Sequence, residues 1–523
     1  MRDNPVAATY YGIHSFDNQL GDGGRETLLA EIAADREHLA AIEALDDARL
    51  SPTVRFERDL EVHNVRRSIF EGDELRVWEQ RSLALDTVGD GLFLLFVRDH
   101  APLAERLTAI AARLEGVPRH LDEARTRSER PQVRLWQRIE IESAGQLPLL
   151  FDEFVAAGRG VLGSAEQRRL ERAASTAAAA VELYTSWLER TLANGTDATG
   201  VGRELHDRMV ELRAFDGLDA DAILALGERK LAEERELRGA AAREIDPDAD
   251  VRAVVARVKA DHATTFNDAL EEYRLAMRRA RAHLVERALV SIPDDERIDV
   301  IETPEYLRNV IPFAAYFSPA AFDPGSKGVY VVTPSVHGEA DAMREHNRAS
   351  ISNTSIHEAY PGHHLQLDAA RRHPSLTRLL ADAPEFVEGW GMYSELMMRE
   401  QGFDDAPEFR LMLHTDAMWR ACRIILDVRL HRGEIGVDDA IDLLVDQTGF
   451  ERDNARAEVE WYTYRPTYPL SYLLGRTLLL ELRASEQRRL GDAFSLRAFH
   501  DTLLRNGSLP ISFHRRLLDG EGA

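Results

Sequence analysis

The sequence has little of what several classes of protein require. A single cysteine, Cys422, among 523 residues excludes an intrachain disulfide and a thiolate-rich zinc site. Lysine and arginine number 65 against 90 aspartates and glutamates, and the net charge of −25 argues against binding to nucleic acid or an anionic membrane. The longest apolar run, LFLLFV at 92–97, is far too short to span a bilayer. The N-terminal stretch MRDNPVAATYYGIHSFDNQLGDGG lacks the apolar segment of a secretory signal, so we expect a cytoplasmic protein.

Helical periodicity fills most of the chain before residue 295. Alanine, leucine, glutamate and arginine recur there at helical spacing, and glycine, proline and aspartate cluster in the breaks. We therefore predict a helical N-terminal region over 1–295. Its clearest predicted helices are 165–193, 219–245 and 251–288.

A small β element follows this region. Three short segments are rich in β-branched and aromatic residues between prolines and glycines, which is typical of strands. FDPGSKG at 322–328 would close a hairpin between the last two, and helical periodicity returns after residue 350. We predict a mostly α fold with a β element over about 297–334, inside a catalytic region over 296–523. The predicted strands are 297–304, 313–319 and 328–334.

The stretch HEAYPGHHLQ at 357–366 begins like a zinc-hydrolase motif and then departs from it. That motif places two histidines at i and i+4 of a helix, with a glutamate after the first. His357 and Glu358 fit, but the histidines that follow, His363 and His364, come too late. On a regular helix, at about 100° and 1.5 Å per residue, neither could share one metal ion with His357.

Pro361 predicts that this helix is not regular, because proline donates no N–H to the preceding turn and its ring clashes with that turn. Gly362 adds backbone freedom, and a widened, π-like turn can absorb extra residues. On this interpretation His363 becomes the second metal ligand, with His364 as the alternative ligand or as a neighbour facing the site. Histidines brought together by chance on a partly exposed helix are the competing interpretation.

A glutamate downstream is the candidate for a third ligand, since a catalytic zinc site holds three protein ligands and leaves one position open. The segment 385–400 places Glu388 and Glu395 seven residues apart on one helical face. Glu388 stands between Phe386 and Trp390, and a carboxylate buried among apolar side chains must be paired, metal-bound or protonated. Glu395 would then orient a ligand histidine. The alternative is an amphipathic helix with solvated acids.

The segment WYTYRPTYPLSYLLGR at 461–476 crowds tyrosines beside prolines. A tyrosine hydroxyl can donate to the oxyanion that develops on a polarised carbonyl, and Tyr472 is the preferred candidate. The tyrosines, Tyr468 among them, could equally form a packed aromatic corner. Arg476 is a candidate to bind a substrate carboxylate, because a guanidinium group pairs with it bidentately.

Four blocks in this order resemble the bacterial domain-of-unknown-function 885 family. They are HEAYPGHHLQ, FVEGWGMYSE, RACRIILDVRLH and EVEWYTYRPTYPLSYLLG. The family is similar to the gluzincin metallopeptidases, with distant relatives in the thimet oligopeptidase and angiotensin-converting-enzyme groups. The resemblance is strong from about residue 300 to about residue 480 and weaker before that, as in VGRELHDRMVEL at 201–212.

The resemblance implies a two-lobed helical body around a deep cleft, with residues 1–295 covering it. It also implies one zinc ion per chain, bound by His357, by His363 or His364, and by Glu388. Glu358 would be the general base and Tyr472 would steady the tetrahedral intermediate. The residues expected around the metal or against the substrate are His364, Glu395, Tyr468, Arg476, His431 and Tyr330.

The resemblance further implies that GVYVVTP at 328–334 is an edge strand that pairs with an extended substrate. The expected activity is zinc-dependent hydrolysis of short peptides, of dipeptidase, carboxypeptidase or oligopeptidase type. Two alternatives stay open: a zinc hydrolase of another amide or ester, and a non-catalytic peptide-binding relative. Glu358 distinguishes them in part, since a pure binder needs no carboxylate beside His357.

Overall fold

Helices form most of the chain, and the predicted mostly α fold with a small sheet is confirmed. The computed structural model describes residues 4–304, 308, 311, 313–323, 325, 327–334 and 343–522. Positions 324 and 326 of the predicted hairpin loop lie outside these residues. Within the described ranges, no helix combines the length and the apolar character that crossing a membrane requires.

The helices fall on both sides of the sheet in the sequence. Before it come α1 (Pro5–Tyr11), α2 (Arg25–Glu43), α3 (Pro52–Phe70), α4 (Val77–Gln80), α5 (Ala84–Val97), α6 (Leu103–Ala124), α7 (Arg134–Ala144), α8 (Leu147–Gly158), α9 (Ser164–Thr191), α10 (Arg203–Arg213), α11 (Ala220–Ile245), α12 (Val251–Lys259) and α13 (Phe266–Glu286). After it come α14 (Arg348–Glu358), α15 (His363–Ala370), α16 (Leu376–Leu379), α17 (Pro384–Glu400), α18 (Pro407–His431), α19 (Val437–Thr448), α20 (Arg452–Thr463), α21 (Ser471–Leu490), α22 (Leu496–Arg505) and α23 (Ile511–Leu518).

The chain divides into two compact units. The first comprises Met1–Leu45, Val65–Thr199 and Ala320–Lys327, and the second comprises Asp46–Asn64, Gly200–Pro319 and Gly328–Ala523. The boundary predicted between residues 295 and 296 lies inside the second unit. All four blocks singled out in the sequence belong to this second unit.

The helices predicted over 165–193 and 219–245 are confirmed as α9 and α11. The single helix predicted over 251–288 is wrong, because the structure has two helices there, α12 and α13. The side-chain oxygen of Thr265 accepts the backbone N–H of Asp268 at 3.2 Å and so caps the start of α13. Such a cap satisfies a backbone donor that has no partner within its own helix, and therefore favours a new start at this point.

The three predicted strands are confirmed as β1 (Ile298–Glu302), β2 (Ala314–Phe317) and β3 (Gly328–Val332). β3 lies in the centre, parallel to β1 and antiparallel to β2. The expected edge strand at 328–334 is therefore wrong, since a strand paired on both sides has no free backbone edge to offer a substrate. Tyr330 is fully buried in this strand, and its ring packs edge-to-face on Tyr273 at 5.9 Å.

The largest core of the second unit surrounds α11, α17, α18 and α21. Two glycines bring α17 and α21 together: a Cβ added to Gly389 would come within 2.6 Å of the backbone of Gly475. Only residues without a side chain allow two helix backbones to approach this closely. The same core buries Cys422 completely, and burial raises the pKa of its thiol to about 12, which makes it unreactive.

Candidate metal centre

The helix that carries the histidine motif is interrupted. α14 ends at Glu358 and α15 begins at His363, so the irregular turn predicted at Pro361 separates two helices. The turn itself is widened, as predicted: the N–H of Gly362 donates to the carbonyl of Ile356 at 3.0 Å, six residues back instead of four. Pro361 has no N–H with which to continue the α-helical pattern, which is the physical reason for the break.

Gly362 is required by the close return of the chain onto α14. A Cβ placed on Gly362 would overlap the backbone carbonyls of His357 and Ile356. The turn can therefore fold back tightly only with glycine at this position. This return carries His363 to the side of the motif on which His357 lies.

Three buried side chains from three helices converge beyond this turn. His357 of α14, His363 of α15 and Glu388 of α17 each offer one ligand atom, and these atoms all lie within 4.8 Å of one another. Glu388 Oε2 lies 3.6 Å from His357 Nε2 and 3.4 Å from His363 Nε2. Two imidazole nitrogens and one carboxylate oxygen are the donor set of a catalytic zinc site with an open fourth position.

The ionisable groups of this cluster shift one another's pKa values. Burial lowers the pKa of His357, but the nearby Glu388 carboxylate and the hydrogen bond to Glu395 outweigh this effect and raise that pKa to about 10. Burial raises the pKa of Glu388, but its proximity to His357 and His363 outweighs this effect and holds that pKa well below its usual range. The Glu388 carboxylate is thus stabilised by nearby positive charge, which a divalent ion would also supply.

Glu395 fixes the orientation of His357. Its Oε1 lies 2.7 Å from His357 Nδ1, which directs the other ring nitrogen towards Glu388. Glu395 Oε2 accepts a hydrogen bond from Asn353 at 3.0 Å, and the same amide donates to Asp416 at 2.9 Å. A carboxylate behind a ligand histidine is the usual support of a zinc ligand.

Replacing Glu395 is expected to weaken metal binding without removing a ligand. In Glu395→Ala the imidazole of His357 loses its orienting partner, and we expect zinc affinity to fall about 10- to 100-fold. The measurement is competition with a chromophoric chelator. Glu400→Ala on the same helix is the control, because that side chain is exposed and pairs with Arg483. Equal affinities in the two variants would contradict an orienting role.

The second oxygen of Glu388 is held by Tyr468, whose hydroxyl donates to Oε1 at 2.8 Å. The backbone just before Tyr468 is anchored from two sides. Asp427 accepts the N–H of Thr467 at 2.9 Å, and Arg213 donates to the carbonyl of Thr467 at 2.7 Å. Asp427 and Arg213 thereby position the tyrosine that holds the Glu388 carboxylate. Sequence reasoning missed Arg213, because a single arginine on a distant helix gives no local signal.

Tyr472 lies in the first turn of α21, close to the cluster. The ring centroid of Tyr472 is 6.1 Å from that of Tyr468. The guanidinium carbon of Arg423 lies 4.4 Å from the ring centroid of Tyr472. Burial, with a further contribution from the charge of Glu388, raises the pKa of Tyr472 above its ordinary value. The hydroxyl therefore keeps its proton at neutral pH and can serve as a donor.

Glu358, the last residue of α14, directly follows His357 and is partly buried. The pKa of Tyr330 is raised well above its usual value by burial, then by Tyr273 and then by the charge of Glu358. Glu358 also contributes to the raised pKa of His357. Its carboxylate thus acts electrostatically on both the metal motif and the central strand.

The structure directs His364 away from the cluster. Its Nε2 lies 2.8 Å from Glu296 and its Nδ1 lies 2.9 Å from the hydroxyl of Tyr316. Glu296 also accepts hydrogen bonds from Tyr360 and Arg281, at 2.6 and 3.0 Å. Both ring nitrogens of His364 are therefore engaged, and the structure groups His363 with the other two ligand candidates instead.

Two further candidate site residues, Arg476 and His431, form polar contacts with other residues of the core. Arg476 forms a buried ion pair with Glu234. Glu234 also lies 2.7 Å from a ring nitrogen of His414. The Nε2 atom of His431 lies 3.1 Å from the carbonyl of Tyr462, and burial lowers the pKa of His431 to about 4. His431 thus contacts the end of α20, just ahead of the segment that carries Tyr468.

Fold and site together define a helical protein with a buried His-His-Glu cluster. The chain belongs to the DUF885 family, described as a bacterial protein of unknown function, whose pattern matches residues 5–518. No curated protein matches the chain.

Two solved structures are similar over nearly the whole chain. One is a putative lipoprotein of unknown function from Shewanella oneidensis, with 22% identity, a TM-score of 0.80, and coverage of 98% of this chain and 96% of that one. The other is a putative lipoprotein from Colwellia psychrerythraea, with 18% identity, a TM-score of 0.86, and coverage of 99% and 96%. At these identities the matches establish the shared fold.

The prediction of a cytoplasmic protein is contradicted by these matches, since both proteins are described as putative lipoproteins. A lipid anchor is a covalent group on one residue, so the charge and hydropathy of a folded chain do not test for one.

Proposed function

We propose that this protein is a zinc-dependent peptidase that hydrolyses short peptides. The observation that carries the proposal is the convergence of His357, His363 and Glu388 on one point, with Glu358 directly after the first ligand. The resemblance of the four sequence blocks to gluzincin metallopeptidases supports a peptide substrate. The burial of all three ligand residues supports a tightly held ion rather than one adsorbed at the surface.

His357, His363 and Glu388 would hold the zinc ion, with Glu395 and Tyr468 orienting two of them. A bound zinc ion supplies Lewis acidity and lowers the pKa of a water molecule towards about 7. The hydrogen bond from Tyr468 leaves the other oxygen of Glu388 directed at both histidines. The donor set therefore fits the ion that the sequence motif predicts.

Glu358 is the group that moves the proton. Its carboxylate accepts a proton from the attacking water and passes it to the leaving amine. Tyr472 donates its hydroxyl hydrogen to the carbonyl oxygen as negative charge develops there. The raised pKa of Tyr472 keeps that hydrogen in place at neutral pH.

The test is hydrolysis of a mixture of peptides from two to ten residues long by zinc-loaded full-length protein, followed by mass spectrometry. We expect cleavage that stops after chelation and returns when zinc is added. Cleavage of esters or non-peptide amides alone would contradict a peptidase. Binding of peptides without any cleavage would contradict an enzyme.

A pair of tyrosine variants separates chemistry from ligand positioning. Tyr472→Phe is expected to lower kcat about 10²-fold with zinc affinity unchanged, because one oxyanion donor is lost. Tyr468→Phe is expected to weaken zinc binding instead, because Glu388 loses a hydrogen bond. Steady-state kinetics and chelator competition on both variants give the result. Weaker zinc binding in Tyr472→Phe would contradict the role assigned to it.

A further inference from the structure

A second group of metal-binding side chains lies in the first unit of the chain. His14 and Asp17 flank a short 3₁₀ turn, and His100 lies between α5 and α6. Asp17 Oδ2 is 2.8 Å from His14 Nδ1 and 3.3 Å from His100 Nε2. One ligand atom from each of the three residues falls within 4.8 Å of the others.

The carboxylate of Asp17 is held from behind. Its other oxygen, Oδ1, accepts a hydrogen bond from the hydroxyl of Thr9 at 2.7 Å. That hydroxyl also accepts one from Arg113 at 2.5 Å, and the guanidinium lies 3.9 Å from Oδ1 itself. These contacts fix Asp17 so that Oδ2 faces both imidazoles, as the support of a metal-binding carboxylate does.

The segment that carries His100 is fixed to α1, the helix that carries Thr9. Arg98 donates to the backbone carbonyls of Thr9 and Tyr10 of α1, at 3.2 and 2.6 Å. The rings of His14 and His100 are parallel within 2°, with centroids 3.9 Å apart. Both imidazoles therefore present a nitrogen to one carboxylate oxygen within a rigid frame.

Each of the two histidines has a second ring nitrogen, which does not contact Asp17. His14 Nε2 and His100 Nδ1 are buried and have no hydrogen-bond partner among the described residues. Within the described part of the chain, no hydrogen-bond network therefore accounts for the two rings beyond their contacts with Asp17. The side chain of His14 is 30% exposed, which gives an ion a path from solvent.

We propose that His14, Asp17 and His100 form a second site for a divalent transition metal, with zinc as the best match. Two imidazole nitrogens and one carboxylate oxygen are a zinc-type donor set, whereas calcium and magnesium prefer oxygen alone. The site differs from the first in its neighbours. Ser15 and Ala101 follow the two histidines, so no carboxylate stands where Glu358 stands after His357. This second metal therefore binds without hydrolytic chemistry and ties the turn that follows α1 to the segment between α5 and α6.

The experiment counts zinc bound to metal-depleted full-length protein by titration with zinc ions against a chromophoric chelator. We expect two equivalents in the wild type, one in His14→Asn, one in Glu388→Ala and none in the double variant. Zinc should also raise the melting temperature of Glu388→Ala, and this rise should disappear in the double variant. Because His14 is partly exposed, its replacement is not expected to unfold the chain.

His38→Asn is the matched control, since His38 is an exposed histidine outside the cluster on α2. Two equivalents in this variant and one in His14→Asn support the second site. Two equivalents retained in His14→Asn would overturn it, as would a single equivalent in the wild type that Glu388→Ala removes. Loss of zinc in His14→Asn with none lost in Glu388→Ala would support the second site and count against the first.

Discussion

Glu358→Gln is expected to lower kcat for peptide hydrolysis by about 10²- to 10⁴-fold and to leave the bound zinc in place, because a positioned general base contributes that much. Glutamine keeps the size of the side chain but cannot take a proton from water. Glu358 lies beside the cluster and is not among the three ligand residues, so zinc content should not change. The measurements are steady-state kinetics and zinc content on the same preparation.

The control for this variant is Glu408→Gln, which removes the same charge from an exposed position on α18. It should retain the wild-type rate. A wild-type rate in Glu358→Gln as well would show that another group moves the proton. Loss of zinc in Glu358→Gln would show instead that the carboxylate belongs to the metal site.

Gly362→Ala is expected to remove zinc from the first site and to destabilise the second unit by about 3 kcal/mol. The added methyl group would overlap the carbonyls of His357 and Ile356, so either the turn changes its path or α14 shifts. Either movement carries His363 away from His357 and Glu388. Zinc content and urea-induced unfolding would measure the two effects.

Gly239→Ala in α11 is the matched glycine variant. The nearest atom to its added Cβ is the end of the flexible Arg243 side chain at 3.3 Å, and alanine favours the helix over glycine by about 1 kcal/mol. We expect this variant to keep its zinc and to be as stable as the wild type or slightly more so. Unchanged zinc in Gly362→Ala would mean that the turn tolerates a side chain.

Local sequence signals were sufficient for much of the fold. The periodicity of α9 and α11, and the composition of the three strands, are properties of neighbouring residues. Strand order is not such a property, and for this reason β3 was wrongly expected at the edge of the sheet. Thr265 caps the helix that begins at Phe266, and periodicity does not detect a single capping residue.

Local sequence signals likewise predicted only part of the candidate site. Spacing and chemistry suggested His357 and Glu388 as partners, but the choice between His363 and His364 depends on the path of the backbone at Gly362. That path follows from contacts with α14 and could not be calculated from helix geometry. The cluster of His14 and His100 gave no signal at all, because its histidines meet only after α1 and α5 have packed.

The most direct test of the zinc centre is elemental mass spectrometry of untagged wild-type protein beside Glu388→Ala, with circular dichroism to establish that both are folded. We predict that the variant holds one zinc ion per chain fewer than the wild type. Equal zinc content in the two proteins, or no zinc in the wild type even after zinc is supplied, would contradict a metal centre built by His357, His363 and Glu388.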